Sequence, residues 1–191
     1  MNKILMLVAM ILTTGCAFTV HDVDVAYKYD KPIKFDFIPK AINVGDVIDS
    51  RGVDNPRMIM NMTNGNGYTT TGGWQAEKPL SDILKDAVIQ GLEKTNSFSE
   101  KKSSNLTLSG ELLSFDVEVI MGAWVGSYKG KMSAKFQLRD KTTGKIVWRD
   151  IFVGSSQVKG TEGIVGVLKV TLDDLVTKLF NDDYFQQKIA Q

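Results

Sequence analysis

The sequence holds one cysteine, one histidine and four prolines in 191 residues. A lone cysteine, Cys16, cannot close an internal disulfide, so the core must hold without covalent staples. One cysteine and one histidine cannot supply the ligand cluster of a zinc site. His21 lies in a polar stretch near the N-terminus, which leaves Ser-His and Cys-His nucleophilic constellations without a base in the body of the chain. Excess charge of either sign is missing too. Without residues 1–15, which hold Lys3 and no acidic residue, 22 basic residues face 22 acidic ones. That balance argues against a basic nucleic-acid surface and against an acidic disordered chain. No apolar run reaches the roughly 20 residues of a transmembrane helix, and no internal repeat or low-complexity tract stands out.

The first sixteen residues set the address. Asn2 and Lys3 give a short positive start, residues 4–12 are uninterruptedly apolar, and Thr13-Thr14-Gly15 leads into Cys16. A charged start, a short apolar run and small residues before a cut site describe a secretory signal peptide over residues 1–15. A cysteine directly after a small residue at that boundary resembles the lipobox of bacterial lipoproteins. The position three before the cysteine is usually Leu and here is Thr13, whereas Gly15 and Cys16 fit. Cleavage after the cysteine, or retention of the run as a short anchor, are the competing readings. Neither explains why the sole cysteine stands at this boundary of an exported chain, where a free thiol is a liability. Acylation of Cys16 would remove the difficulty, and several acyl chains hold a protein stably on a leaflet. By resemblance to the enteric lipoprotein sorting rule, in which an aspartate after the cysteine retains the protein at the inner membrane, Ala17 implies the outer membrane.

Residues 16–31 read as a lipidated N-terminus and tether, able to reach about 50 Å when extended. Alternation of Val23, Val25 and Tyr27 with polar neighbours keeps an extra edge strand open. One domain then spans residues 32–191, enough chain to bury a core. Alternating apolar residues predict strands over residues 33–37, 42–48 and 57–62. Residues 63–73 are almost wholly Asn, Gly and Thr and read as a flexible loop. From Pro79 the period changes: Leu80, Ile83, Leu84, Ala87, Val88, Gly91 and Leu92 form one helical stripe. Residues 106–120 predict a long strand whose parity slips near Leu112, the mark of a β-bulge. Residues 121–130 form a Gly-rich aromatic turn into a strand over residues 132–138. Gly144 suits the hairpin that follows, and residues 146–153 make the last strand. A polar loop over residues 154–163, a helix over 167–180 and a final turn over 184–190 complete the order. The expected fold is α+β, a mainly antiparallel β-sheet with two amphipathic helices packed on one face.

Few residues suggest chemistry. Asp46, Asp49 and Asp54 with Arg51 form the densest acidic cluster. Paired carboxylates there could cleave glycosides, but the pattern suits turn residues around an Arg–Asp pair better, and it lacks the spacing of a calcium loop. Asn64-Gly65-Asn66-Gly67 lacks the lysine of a phosphate-cradling loop. No catalytic residue, metal site or cofactor is expected. Tyr68, Trp74, Trp124 and Tyr128 sit in or beside Gly-rich stretches. They are the candidate partner-binding residues, because loop aromatics give large apolar contacts at small entropic cost. The competing reading is that they cap the end of the sheet.

The Gly15-Cys16 end, the strand and charged turn from Val44 through Gly45, Asp46, Val47, Ile48, Asp49 and Ser50 to Arg51, and the helix start Pro79-Leu80-Ser81-Asp82-Ile83-Leu84 carry a resemblance. With a closing helix before a short tail, they resemble the YajG-type bacterial outer-membrane lipoproteins. Periplasmic auxiliary lipoproteins of lipid transporters share the general plan more distantly. The resemblance implies an uncharacterised envelope lipoprotein facing the periplasm and without catalytic residues. Cys16 alone carries over, as the lipidated residue. Expected is a non-enzymatic scaffold or accessory subunit that meets an envelope protein partner. The alternative is an auxiliary lipoprotein of a lipid or lipopolysaccharide transport system, and the remote one an envelope hydrolase on Asp46 and Asp49.

Overall fold

The computed structural model describes residues 19–34, 41–63, 66, 68–95, 104–122 and 126–190. The fold is α+β, as expected, but with two sheets in place of one. Strands β2 (Ile42–Asp49), β5 (Leu106–Ile120), β6 (Ser127–Asp140) and β7 (Ile146–Lys159) form a four-stranded sheet in the order β2-β5-β6-β7. Strands β1 (Val20–Val23), β4 (Thr69–Ala76) and β3 (Met58–Thr63) form a three-stranded one in the order β1-β4-β3. Each sheet contains one parallel pair, β2 with β5 and β1 with β4; the other pairings are antiparallel.

Helix α1 (Leu80–Lys94) begins where Pro79 ends the preceding extended chain. Pro79 stands at the N-cap position, its carbonyl accepting from the amides of Asp82 and Ile83. The amide of Leu80, an orphan donor at any helix start, donates to the carbonyl of Pro56 at 3.0 Å. The predicted stripe is buried from Leu80 to Leu92. Helix α2 (Gly163–Phe180) starts earlier than its apolar period suggested, after a 3₁₀ turn at Gly160–Glu162. The amide of Gly160 donates to the carbonyl of Gly126 at 2.7 Å, so the turn is held by the β5–β6 hairpin. A short helix α3 (Asp183–Ala190) stands where a final turn was expected. Among the described residues no helix is long and apolar enough to cross a membrane.

Helix α1 lies on β2 and β5, α2 on β6 and β7, and the two helices touch along one face of the large sheet. Glycines permit the close approach. A Cβ on Gly91 would stand 2.2 Å from the Phe180 ring, and one on Gly154 2.4 Å from the carbonyl oxygen of Thr171. The core between sheet and helices holds Leu108, Leu112, Met132, Phe136, Leu138 and Phe152 against Leu84, Val88, Leu168, Leu172 and Leu175. The bulge predicted near Leu112 appears as a register shift between Leu112 and Ser114. It turns Phe115 inward where Leu106, Leu108 and Leu112 pointed before it.

Three expectations need correction. Residues 69–76 are not part of a loop: they form β4, the middle strand of the small sheet, with Gly72 and Gly73 buried. A Cβ on Gly73 would lie 2.2 Å from the carbonyl oxygen of Met60, so glycine serves contact there rather than flexibility. Residues 154–159 likewise continue β7 to Lys159. The tether is docked from Val20 onward: β1 ends at Val23, so the edge strand left open around Val23, Val25 and Tyr27 forms only at its start, and residues 24–34 follow without strand pairing. Most of the strand expected over residues 33–37 lies outside the described residues.

Candidate functional site

Residues 24–34 run as a strap across the outer side of both helices. Val25 and Tyr29 are fully buried, 0% and 2% exposed. The amide of Val25 donates to Oε2 of Glu77 at 2.8 Å and that of Tyr29 to Oε1 of Gln90 at 2.7 Å. The Tyr27 hydroxyl donates to Oδ1 of Asp173 at 2.8 Å, and Tyr29 Oη lies 3.0 Å from Thr177 Oγ1. Further along, the Lys34 amide donates to Oδ1 of Asn181 at 2.9 Å, and Lys31 pairs with Asp173. Side chains in and beside the two helices thus serve the strap where no sheet ladder does: Glu77, Gln90 and Asn181 take its amides, and Asp173 and Thr177 meet its tyrosine hydroxyls. Burial, and then the Asp173 carboxylate that accepts its proton, push the Tyr27 hydroxyl far above the usual phenol range. Burial raises Tyr29 as well, against the opposing hydrogen bond from Thr177.

Among the described residues no helix packs on the other face of the large sheet. Near the β5–β6 hairpin that face forms an open depression of about 680 Å³ lined by Asp116, Glu118, Lys129, Lys131, Ser155 and Gln157, among others. Asp116 stands opposite Lys131 and Glu118 opposite Lys129 on adjacent strands. None of these four side chains makes an ion pair or hydrogen bond with another described residue. Further along the face Lys135 does pair with Glu111, which also accepts from Ser50 Oγ at 2.8 Å. These donors hold the Glu111 carboxyl below the usual carboxylate range.

The structure disperses the aromatic candidates. Tyr68, just before β4, is 71% exposed. Trp74, in β4, is half-buried and stacks on His21 of β1, with ring centroids 6.0 Å apart. Tyr128, in β6, is half-buried against the core and pairs with Val119 and Val158. Trp74 belongs to the small sheet, which Tyr68 precedes, and Tyr128 to the large one. Trp124 and Cys16 lie outside the described residues. The depression was missed because its residues belong to the polar parity of long strands. Opposed charges on residues 116, 118, 129 and 131 were the available signal.

The acidic cluster is a structural clamp. Asp49 binds Arg51 through both carboxylate oxygens, 2.9 Å to Nε and 2.7 Å to a terminal nitrogen. Arg51, its side chain 4% exposed, also donates to the carbonyls of Met58 and Pro56. Partial burial alone would raise the Asp49 carboxyl, but the Arg51 hydrogen bonds outweigh it and hold it below the usual range. Asp46 faces Lys85 instead. Asp46 and Asp49 therefore do not converge as an acid–base pair. Among the described residues no group of three His, Cys, Asp or Glu side chains is placed to hold a metal ion.

No protein-family model and no curated protein matches the sequence. Solved structures share the fold. Protein XCC0632 from Xanthomonas campestris, of the DUF330 family, is 15% identical over 84% of this chain and 93% of its own, with a TM-score of 0.64. The hypothetical protein CT253 from Chlamydia trachomatis is 7% identical over 78% of this chain and 97% of its own, with a TM-score of 0.50. At such identities the likeness speaks for the fold alone.

Proposed function

We propose that this chain is a lipid-anchored envelope lipoprotein of the outer membrane that works by binding another envelope component, as a scaffold or accessory subunit without a catalytic step. The observation that carries the reading is the N-terminal pattern: a signal peptide over residues 1–15 ending at the sole cysteine. The docked strap supports it. Only three residues separate Cys16 from Val20 of β1, a reach of at most about 14 Å. An acyl group on Cys16 would hold the body close to the leaflet rather than float it. Exposed Tyr68 and the stretch around Trp124 are the places to look for the contact, with Trp74 and Tyr128 as the remaining aromatic candidates.

The test is photo-cross-linking in intact cells from a reactive residue at Trp124, and separately at Tyr68, followed by mass spectrometry. Membrane fractionation of a Cys16→Ser chain runs beside it. A discrete protein adduct, together with loss of the Cys16→Ser chain from the outer membrane, supports the reading. Adducts with lipid alone favour a lipid-handling auxiliary. A Cys16→Ser chain still held at the outer membrane removes the lipid anchor.

A further inference from the structure

The uncovered face of the large sheet is self-complementary. Strand register places Ile48 beside Glu111, Glu111 beside Lys135, and Lys135 beside Ile151. One row across the four strands therefore reads apolar, acidic, basic, apolar. Both isoleucines are among the more exposed apolar residues, Ile48 at 64% and Ile151 at 54%. Ile48, Glu111 and Lys135 line one shallow depression, which fixes them on the same face. Two further rows repeat the charges: Asp116 beside Lys131, and Glu118 beside Lys129.

We infer that this face docks a second copy of the chain, open face to open face, about a two-fold axis running along the strands between β5 and β6. Such an axis lays β5 of each copy over β6 of the other, and β2 over β7. Ile48 then meets Ile151 of the second copy, and Glu111 meets its Lys135. Asp116 and Glu118 meet the second copy's Lys131 and Lys129 with no offset along the strand, because each pair is already in register within one chain. An isologous interface requires this relation: residue i meets j, and j meets i. Nor are the side chains of Asp116, Glu118, Lys129 and Lys131 committed to partners among the described residues, so they are available to pair between copies. Glu111 and Lys135 of the two copies make a square of alternating sign. Four strands about 4.8 Å apart and about ten residues long cover roughly 19 by 33 Å. That footprint approaches the ~800 Å² per partner of a standard interface.

The experiment is sedimentation of the full chain in density-matched detergent, with two charge variants. One carries Glu111→Lys and Asp116→Lys, making the face basic; the other carries Lys131→Glu and Lys135→Glu, making it acidic. The native chain is expected to dimerise, each variant alone to weaken the dimer at least tenfold, and an equimolar mixture to restore it as a heterodimer. Raised salt should weaken that heterodimer. If a charge variant fails to fold by circular dichroism, Ile48→Asp and Ile151→Asp carry the test, each expected to dissociate the dimer. A native chain that stays monomeric overturns the inference. So do variants that dimerise alone as well as the native chain does.

Discussion

Arg51 and Asp49 show how a charged pair in a turn can act as a structural rivet. The guanidinium meets the carboxylate with two hydrogen bonds and closes the carbonyls of Met58 and Pro56 as well, tying the end of β2 to the start of β3. Arg51→Met should cost about 3 kcal/mol in chemical denaturation, since it leaves a half-buried carboxylate and two carbonyls short of donors. The folded Asp49 carboxyl is depressed, so its contribution is present above the unfolded value and is lost as pH falls through the folded one. Below about pH 4 the native chain should therefore lose stability faster than Arg51→Met; parallel pH curves for the two would contradict the pair's role. Gly154 tests packing in the same way. Its missing Cβ faces the Thr171 carbonyl and Leu175, backbone and buried side chain that have little room to yield. Gly154→Ala should destabilise by roughly 1–3 kcal/mol, read from the denaturation midpoint.

At the scale of elements, the strap is the feature that sequence periodicity described least well. Val25 and Tyr29 are buried, yet Asp24, Lys28 and Asp30 between and beside them are exposed, so the segment looks like a polar tether. What holds it are distant side chains, Glu77, Gln90, Asp173 and Thr177, which no local pattern reveals. Hydrogen exchange should protect the Val25 and Tyr29 amides, and Gln90→Ala should release Tyr29 at least tenfold faster while the β6 amides stay protected. The Tyr27 and Tyr29 hydroxyls are raised, so the stability they contribute is complete below the unfolded tyrosine value and is lost as pH rises past it. The strap should open above about pH 10, seen as phenolate absorbance rising together with Val25 exchange. Protection of Val25 that survives ionisation would contradict this coupling.

The same contrast explains which elements were legible. Helix α1 could be read to within a residue because its apolar stripe is sustained and a proline marks its start. The β5 bulge was readable because a parity slip has no other simple cause. Strand β4 was hidden because Gly72 and Gly73 are buried, Gly73 against the Met60 carbonyl, and such glycines in sequence look like a loop. Strand β7 ran past its apolar stretch for a related reason: Gly154 and Ser156 face α2 where larger residues would not fit. Of the candidate site, the N-terminal pattern rests on the sequence alone, because Cys16 lies outside the described residues. The open face was not legible, since strand register decides which charges become neighbours.

At the scale of the molecule, a chain of formal net charge +1 folds so that two helices, strapped by residues 24–34, seal one sheet face, while among the described residues no helix covers the other. Only three residues stand between Cys16 and strand β1, and this limits how far the body could stand from a membrane that held Cys16. The reading of a lipid-anchored binding protein depends on that cysteine more than on any other residue. Its most direct test is the mass of the mature N-terminal peptide from outer-membrane preparations. A peptide beginning at Cys16 and carrying the added mass of acyl chains is the expected result. A peptide beginning after Cys16, or one bearing an unmodified thiol, would contradict it.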